Sequence, residues 1–333
     1  MNTRCALVTG AGSGIGRGIA LGLARAGYNV AIHYNSSEES ALEAVRLAEG
    51  YGVRSAAIGG SLTSKAGVDA LFCEYEKQFG RLDLLVCNAG VTKTADFDSL
   101  DEADFDLMYS LDLKGSYYCI AAAARLMPRV GSSCDVGDSG KTERDGAGSA
   151  AYSQTERDGA GSAAHNQTER DGDGCAAYSQ TERDGAGCAA HNQPERDGAA
   201  HTNRGMPDTD SRGPSIVVIA SNNAHMQTPR AAAYASVKAG LVQLARHSAA
   251  ELAHLGIRVN TISPGWTDTG SPRLGKKEDT YYKIPLKRWC RPEEVAAAVI
   301  FLDSAAAASV TGAELVMDGG ASLMSDRPER YWL

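Results

Sequence analysis

The sequence has no uninterrupted apolar run that approaches the roughly 20 residues needed to span a bilayer. Basic residues are also scarce, since 33 Lys and Arg are outnumbered by 41 Asp and Glu, which gives a net charge of −8. These two absences argue against a membrane protein and against nucleic acid as a main partner. The first ten residues, MNTRCALVTG, lack the charged and apolar regions of a secretory leader. We therefore expect a cytoplasmic protein.

A disulfide framework and a metal centre are the next features that the sequence lacks. The eight cysteines follow no tight spacing, which is typical of reduced thiols in an intracellular enzyme. Cys188 and His191 have the spacing of half a zinc site, but the matching half is missing, because Tyr178 stands at that spacing after Cys175. Acidic residues beside glycine around residue 172 fit no calcium-loop spacing. We predict no metal site.

A glycine-rich turn near the start of the chain is the first positive signal. An apolar run over residues 4–9 leads into glycines at positions 10, 14 and 16, and a helical pattern follows through Ala26. The strict Gly-x-Gly-x-x-Gly spacing is absent. Even so, strand, glycine turn and helix in this order can cradle a pyrophosphate, because glycine lets backbone N–H groups approach and the helix N-terminus is electropositive. The segment predicts a dinucleotide site.

The end of the second predicted strand, residues 29–34, bears on which dinucleotide binds. An acidic residue there would hold the ribose 2′-hydroxyl of NAD. Here the tip reads Tyr-Asn-Ser-Ser, with no carboxylate before Glu38. Small polar side chains leave room for a 2′-phosphate without repelling it, so we expect NADP(H) to be favoured, with NAD(H) as the open alternative. The side chains concerned are Asn35, Ser36 and Ser37.

Strand patterns alternate with helical patterns through the rest of the chain. Further strands are predicted at residues 53–58, 82–87, 215–220, 256–263 and 313–317, and helices at 37–51, 64–79, 101–127, 231–254 and from 291 onward. The helix over 101–127 has a predicted break near 112–115, and residues 270–290 resemble a mobile lid. This alternation predicts a single doubly wound α/β domain of Rossmann type with a parallel seven-stranded sheet.

The predicted domain consists of residues 1–130 and 214–333, and a low-complexity insertion separates the two parts. The insertion repeats a 13-residue unit, TERDGAGSAAYSQ, that begins at residue 142 and recurs at 155, 168, 181 and, truncated, at 194. Its units have almost nothing apolar to bury, so we predict that residues 131–213 are disordered. We interpret them as a solvated spacer, with a protein-interaction arm as the alternative. They join a helix to the next strand, away from the edge of the sheet where ligands bind.

A tyrosine and a lysine one helical turn apart carry the catalytic hypothesis. Tyr234 and Lys238 are four residues apart on a predicted helix and therefore lie on the same face. An ammonium beside a phenol stabilises the phenolate, which suits the pair for moving a proton near neutral pH. Ser221 closes the preceding strand and can hold a carbonyl or hydroxyl group beside the phenol. The pattern predicts protonation of a ketone, or deprotonation of an alcohol, during hydride transfer.

With the insertion set aside, the chain resembles the short-chain dehydrogenase/reductase family nearly end to end. The motifs stand in the family's order and spacing: Thr9-Gly10-x-x-x-Gly14-x-Gly16, Asn88-Ala89-Gly90, Ser221, Tyr234-x-x-x-Lys238, Pro264-Gly265, and Thr311-Gly312 followed by Asp318-Gly319-Gly320. The chain is most similar to the 3-oxoacyl-carrier-protein reductase and glucose dehydrogenase types.

The resemblance implies an NAD(P)(H)-dependent oxidoreductase that acts on a small carbonyl or alcohol substrate. It implies that Tyr234 is the acid/base, that Lys238 favours its ionised form and binds the nicotinamide ribose, and that Ser221 orients the substrate. It also implies a homotetramer or homodimer that assembles through the helices at 101–127 and 231–254. The implied cofactor contacts are Gly10, Ser13, Gly14, Ile15, Gly16, Asn35, Ser36, Ser37, Ser61, Leu62, Asn88, Ala89, Gly90, Tyr234, Lys238, Pro264, Gly265, Thr267 and Thr269.

Two positions depart from the family's pattern. The fourth catalytic residue is commonly an asparagine, and Asp112 stands in its place, which adds a charge near Lys238. The acid that usually meets the adenine after the third strand is replaced by Ser61. The alternative function is therefore a catalytically impaired NAD(P)-binding sensor or scaffold that uses the repeats for interactions. The sequence does not identify the substrate, although aromatic residues near the predicted pocket favour a partly apolar or ring-shaped one. These residues are Trp266, Tyr281, Tyr282 and Trp289, of which the last three fit ordinary packing or subunit contacts equally well.

Overall fold

The computed structural model describes residues 3–128, 212–271 and 276–324. Apart from its last two residues, the predicted insertion at 131–213 lies outside the described residues. Its repeats, its disorder and the domain boundaries drawn around it therefore stay predictions.

Seven parallel strands form one sheet in the order β3-β2-β1-β4-β5-β6-β7. The strands are β1 (Cys5–Val8), β2 (Asn29–Tyr34), β3 (Ser55–Gly59), β4 (Leu84–Cys87), β5 (Ser215–Ile219), β6 (Arg258–Pro264) and β7 (Glu314–Met317). The strand order reverses direction between β1 and β4, which is where ligands bind in open α/β sheets, beyond the carboxyl ends of the strands. The predicted Rossmann-type fold with a parallel seven-stranded sheet is confirmed.

Helices cover both faces of the sheet. They are α1 (Gly14–Arg25), α2 (Glu38–Glu49), α3 (Lys65–Phe79), α4 (Glu102–Met108), α5 (Gly115–Leu126), α6 (Ala232–Leu252), α7 (Glu278–Tyr281) and α8 (Pro292–Leu302). Helices α1, α2 and α8 share one hydrophobic core, and α3, α5 and α6 share the other. Within β1, Leu7 joins one core while Ala6 and Val8 join the other, because successive side chains of a strand alternate between faces. Burial on both faces explains why the strands are apolar throughout.

The break predicted near residues 112–115 is a change of helix type. A π-helical segment, Tyr109–Lys114, follows α4 directly and leads directly into α5. Such π-bulges are rare and are frequent at functional sites. Asp112 lies within the bulge and is completely buried.

A buried ion pair joins the N-terminal ends of the strands to the end of α8. Two nitrogens of Arg4 donate to the two carboxylate oxygens of Asp303, at 3.1 and 2.9 Å. The same carboxylate accepts hydrogen bonds of 2.7 Å from the hydroxyls of Tyr28 and Ser215. Arg4 also donates to the carbonyl of Gly213, at 3.1 Å. The segment around Gly213, which leads into β5, therefore lies at the N-terminal edge of the sheet. This is the edge that the sequence predicted for the end of the insertion.

Three further observations concern the described part of the chain. None of its helices is long and apolar enough to cross a membrane. The described ranges contain no group of three or more His, Cys, Asp or Glu side chains placed to hold a metal ion. Five cysteines in these ranges are free thiols, and burial raises the pKa of Cys119 to about 12. The cytoplasmic location stays a prediction.

Replacing Asp303 with asparagine should lower the free energy of unfolding by about 3 kcal/mol, because the Arg4 guanidinium would remain buried without a countercharge. Urea denaturation followed by circular dichroism measures the change. Asp106→Asn is the matched control, since Asp106 is exposed on α4 and should give a change within about 0.5 kcal/mol. Equal effects from the two variants would contradict a stabilising role for the ion pair.

Candidate active site

The three predicted catalytic side chains lie on two consecutive elements after β5. Ser221 is the N-cap of a short 3₁₀ helix, Asn222–Ala224, and its hydroxyl accepts a 3.2 Å hydrogen bond from the Asn223 N–H. This leaves the hydroxyl hydrogen of Ser221 available to donate. Tyr234 and Lys238 follow on α6, with the Lys238 Nζ 5.6 Å from the centroid of the Tyr234 ring. The structure therefore brings the ammonium against the phenol, as the spacing predicted.

Lys238 also has a buried carboxylate partner. Its Nζ lies 2.9 Å from Asp112 Oδ2, and the two side chains are 6% and 0% exposed. The other carboxylate oxygen, Oδ1, accepts a 2.9 Å hydrogen bond from the Val91 N–H. Burial disfavours the ammonium, but attraction from Tyr234 and Asp112 outweighs it and raises the pKa of Lys238. Lys238 is therefore an ammonium throughout the neutral pH range.

Asp112 fits against the end of β4 only because a glycine stands there. A Cβ at Gly90 would lie 2.6 Å from Asp112 Oδ2, which is far inside van der Waals contact. The turn that the sequence predicted to run along the cofactor, Asn88-Ala89-Gly90, therefore also holds the carboxylate that faces Lys238.

The glycine-rich loop after β1 is tied to the same turn. The Thr9 hydroxyl accepts hydrogen bonds from the N–H groups of Asn88 and Ala89, at 2.9 and 3.0 Å. The Asn88 side-chain amide donates in return to the carbonyls of Thr9 and Gly10, at 2.9 and 3.1 Å. A Cβ at Gly16 would lie 2.4 Å from both the Asn88 amide nitrogen and the Gly10 carbonyl oxygen. Only glycine at position 16 permits this contact.

The loop presents the N-terminus of α1 in a form that suits a phosphate group. Gly10 and Gly14 have φ of +63° and +58°, which side chains rarely adopt, so the backbone stays uncovered at both positions. The N-cap residue Ser13 makes no side-chain capping bond, and the first turn has no acidic residue. The N–H groups of this turn lack intrahelical acceptors and can bind an anion. The residues present therefore fit a dinucleotide pyrophosphate.

The segment after β6 lies across from the glycine-rich loop, and the two segments border the cleft predicted to hold the cofactor. Thr269 Cγ2 lies 3.6 Å from the position that a Cβ of Gly14 would occupy, so the two predicted cofactor segments meet. Thr267 donates from its hydroxyl to the Gly265 carbonyl at 3.0 Å, which fixes the turn that begins at Pro264. Gly265 is in turn packed against Asp318, since a Cβ there would lie 2.6 Å from Asp318 Cβ.

The positions predicted to meet the adenosine half lie beyond the ends of β2 and β3. Asn35, Ser36 and Ser37 are exposed after β2, and Ser61 is exposed after β3, whereas Leu62 is buried. Ile15 lies inside α1 and packs against the core shared with β1. A hydrogen bond to Glu38, at the start of α2, raises the pKa of the partly buried Tyr34.

The aromatic residues of the predicted lid divide between core and surface. Trp289 is 4% exposed, packs with Ile284 and Ala321, and donates from Nε1 to the Thr280 hydroxyl at 2.6 Å. Tyr281 packs against the same cluster, and Tyr282 is 52% exposed. Trp289 is therefore a packing residue, which was one of the two interpretations that the sequence left open.

Two contributors to the site were not among the predicted site residues. Asn222, directly after Ser221, is buried and donates from its side chain to Asp318 Oδ2 at 3.4 Å. Asp318 stands in the Asp-Gly-Gly motif, so its position was a usable signal. His33 on β2 contacts the glycine loop, and nothing in the spacing of the sequence indicates it.

The fold and these contacts define a dinucleotide-binding α/β protein with a Ser, Tyr and Lys group beside the cofactor cleft. Two family models match the chain. One, described as short chain dehydrogenase, covers residues 4–155, and the other, described as Enoyl-(Acyl carrier protein) reductase, covers residues 196–322.

Individual proteins and structures are similar over nearly the whole chain. The 3-oxoacyl-(acyl-carrier-protein) reductase FabG of Staphylococcus aureus strain Mu50 is 30% identical over 323 residues, with 96% of this chain and 98% of that protein covered. The L-rhamnose 1-dehydrogenase (NAD(P)(+)) of Sphingomonas sp. strain SKA58 is 26% identical, with 94% of each covered. The crystal structure of acetoin dehydrogenase from Enterobacter cloacae is 26% identical, with 98% of each chain covered and a TM-score of 0.68.

These similarities establish the family. The chain belongs to the short-chain dehydrogenase/reductase family, and its relatives in that family are oxidoreductases.

A double-mutant cycle should show that Lys238 and Asp112 stabilise the fold as a pair. Asp112→Leu and Lys238→Met should each destabilise by about 3 kcal/mol, because each leaves one buried charge uncompensated. The double variant should cost at least 2 kcal/mol less than the sum of the two. Urea unfolding of the four proteins measures the coupling, and additive effects would show that the ion pair does not contribute.

Proposed function

We propose that this protein is an NAD(P)(H)-dependent oxidoreductase that transfers a hydride between nicotinamide and a carbonyl or secondary alcohol. The observation that carries the proposal is the Lys238 ammonium, which lies 5.6 Å from the centroid of the Tyr234 ring and is linked through Asp112 to the turn after β4. A phenol beside a buried cation is suited to exchange a proton with an oxygen atom. The family supports the hydride chemistry, and the individual roles below belong to the proposal.

In the proposed reduction, the bound nicotinamide supplies the hydride to the carbonyl carbon. Ser221 donates a hydrogen bond from its hydroxyl group to the carbonyl oxygen and so orients that oxygen beside Tyr234. As negative charge develops on that oxygen, Tyr234 transfers its hydroxyl proton to it. The Lys238 ammonium stabilises the resulting phenolate. In the oxidation direction, the same residues act in reverse, with the tyrosinate accepting the alcohol proton.

Asp112 adds a negative charge to this site, whereas an asparagine at the same position would be neutral. Its carboxylate lies 2.9 Å from the Lys238 Nζ and partly cancels the positive field at the Tyr234 hydroxyl. It also anchors the turn at Val91 through its second oxygen, a bond that an asparagine side chain could equally accept. We therefore infer that the aspartate lowers the electrostatic assistance to Tyr234 without disturbing the geometry.

For the cofactor, we propose NADP(H) over NAD(H). The exposed Asn35, Ser36 and Ser37 leave a 2′-phosphate unobstructed after β2. The Glu38 carboxylate accepts a hydrogen bond from the Tyr34 hydroxyl, and Glu38 and Glu39, in the first turn of α2, are the nearby acidic residues that would repel the phosphate. The L-rhamnose 1-dehydrogenase relative is named for both cofactors, which agrees with a preference rather than an exclusive choice.

The substrate class that we propose is a small ketone, diketone, sugar or 3-oxoacyl thioester. These are the classes that the named relatives handle, as 3-oxoacyl-(acyl-carrier-protein) reductase, acetoin dehydrogenase and L-rhamnose 1-dehydrogenase. Met226, five residues after Ser221, and Trp266 both pack against the apolar cluster of Ile284, Trp289 and Ala321, so the segment after Ser221 carries an apolar surface.

Tyr234→Phe should reduce turnover at least about 10³-fold while leaving cofactor binding within about twofold, because it removes the proton and keeps the ring. Absorbance of NADPH and then NADH at 340 nm, against the four substrate classes, measures turnover. Fluorescence titration of NADPH measures binding. Tyr51→Phe, at a tyrosine that is 53% exposed after α2, is the matched control and should change neither quantity.

The same assay separates the oxidoreductase from the impaired sensor or scaffold. Turnover in the native protein that Tyr234→Phe removes would establish the enzyme. Binding of NADPH with no turnover of any substrate, in the native protein and in Asp112→Asn alike, would favour the sensor.

In the native protein, kcat/KM for alcohol oxidation should rise with increasing pH. In Asp112→Asn, this rise should occur about one pH unit lower. Removal of the carboxylate leaves the Lys238 charge uncompensated, and an uncompensated cation favours the phenolate. The measurement is kcat/KM for oxidation between pH 5 and 10, with the exposed Asp106→Asn as control. An unchanged or upward-shifted profile would show that Asp112 does not act through the charge of Lys238.

We also propose that the chain forms a homotetramer or homodimer through α4, α5 and α6. Aromatic side chains are exposed along this region, with Phe105, Tyr109 and Tyr117 at 43%, 47% and 55%. A second copy is the occupant that the family pattern favours. Sedimentation velocity measures the assembly.

A further inference from the structure

His33 lies between two loops that border the cofactor cleft. It is the fifth residue of β2 and is 2% exposed. Its Nδ1 accepts a 3.1 Å hydrogen bond from the backbone N–H of Gly10, the first glycine of the loop. Its Nε2 lies 2.9 Å from the carbonyl oxygen of Gly60, which follows β3. The imidazole therefore bridges the phosphate-binding loop and the turn that leads to Ser61.

The two partners determine the ionisation state of the ring. The Gly10 N–H can only donate, so Nδ1 must carry a lone pair, and the Gly60 carbonyl can only accept, so Nε2 must carry the hydrogen. The neutral Nε2–H tautomer alone satisfies both. A protonated imidazole would set an N–H group at Nδ1 directly against the Gly10 N–H, which removes one hydrogen bond and replaces it with repulsion.

The surroundings of His33 reinforce this requirement. The groups that face the ring from the β1–α1 loop and from the turn after β3 are backbone groups, those of Gly10 and Gly60. Burial is the main influence and lowers the pKa of His33, with a smaller opposing contribution from the Gly60 hydrogen bond. Within the described residues, no charged side chain contributes to the shift.

The position of Gly10 links this bridge to the cleft. A Cβ at Gly10 would lie 2.8 Å from the Ala89 Cα, so the start of the loop packs directly against the turn after β4. The next N–H along the chain, that of Ala11, donates to the His33 carbonyl at 2.8 Å. Both the backbone and the side chain of one residue on β2 thus hold the start of the loop.

We propose that neutral His33 is a positioning residue for the cofactor loop, and that its protonation loosens the loop and weakens dinucleotide binding. This inference rests on the proposed function of the loop as the pyrophosphate site. It gives the protein an acid-sensitive cofactor affinity that depends on a residue with no contact to the reacting atoms.

The sign of the pH dependence follows from the neutral form. Because burial holds the pKa of His33 below its ordinary value, the folded protein takes up this proton less readily than the unfolded chain. Stability should therefore be complete above about pH 6.5 and should decline below it. Loop order should decline only at more acidic pH, as the pH falls through the lowered pKa of His33 in the folded protein. Cofactor affinity should decline over the same acidic range.

Two amide variants separate the two hydrogen bonds. In His33→Asn the side-chain oxygen can replace Nδ1 as the acceptor for Gly10, and it does not titrate. In His33→Gln the amide reaches toward Gly60 instead and leaves the Gly10 N–H without its acceptor. At pH 7.5 we expect the asparagine variant to bind cofactor within about twofold of the native protein, and the glutamine variant to bind roughly five- to tenfold more weakly.

The experiment combines two measurements from pH 5.5 to 8.0. Calorimetry gives the Kd for NAD⁺ and NADP⁺, and hydrogen exchange gives the protection of residues 9–16 in the free protein, with His33→Asn as the non-titrating reference. NAD⁺ is included because the extra phosphate of NADP⁺ itself titrates near pH 6. Relative to His33→Asn, native protein should progressively lose affinity and loop protection toward the acidic end of this range.

Identical pH dependence of loop protection in the native protein and in His33→Asn would overturn the proposal. Failure of native protein to bind either dinucleotide at any pH would instead overturn the proposed function. Loop protection in the free protein would still decide whether His33 positions Gly10.

Discussion

The Lys238 ammonium cannot remain buried without a countercharge, and much of the site follows from that constraint. Asp112 meets it from inside a π-helical turn, at 2.9 Å and with no exposed surface. The π-bulge places the carboxylate where it can reach both Lys238 and the Val91 N–H. Gly90 is required at the same point, because any side chain there would collide with the carboxylate. One electrostatic requirement thus connects α6, the π-helical segment and the end of β4.

The N-terminal and C-terminal edges of the sheet differ in structure and in the role that we assign to them. At the N-terminal edge, Asp303 binds Arg4, Tyr28 and Ser215 in a fully buried cluster that joins β1, β5 and the end of α8. At the C-terminal edge, glycines replace side chains, and the backbone is held by hydrogen bonds from Thr9 and Asn88. The first arrangement holds the strands in place, and the second leaves backbone N–H groups accessible to a ligand.

The cofactor cleft is held by contacts between distant motifs and by one residue, His33, that lies outside them. Thr9 and Asn88 connect β1 to β4 across the point where the strand order reverses, and His33 connects β1 to β2 and to the turn after β3. Each contact ends on a backbone group of the glycine loop or of its neighbours. The loop is therefore positioned by three strands at once, although the sequence shows it only as a local run of glycines.

The sequence by itself determined the parallel seven-stranded sheet and the placement of Tyr234 and Lys238 on one face of a helix. Periodic apolar runs and glycine turns are local signals, so the seven strands, their parallel order and the Tyr234 and Lys238 pairing could be predicted to within a few residues. Other features depend on which distant segments become neighbours, and only the tertiary structure decided them. The break near residue 112 proved to be a π-bulge because Asp112 has to reach Lys238, 126 positions further along the chain. His33 reads as one residue of a strand, and its role arises only because folding brings Gly10 and Gly60 to opposite sides of its ring.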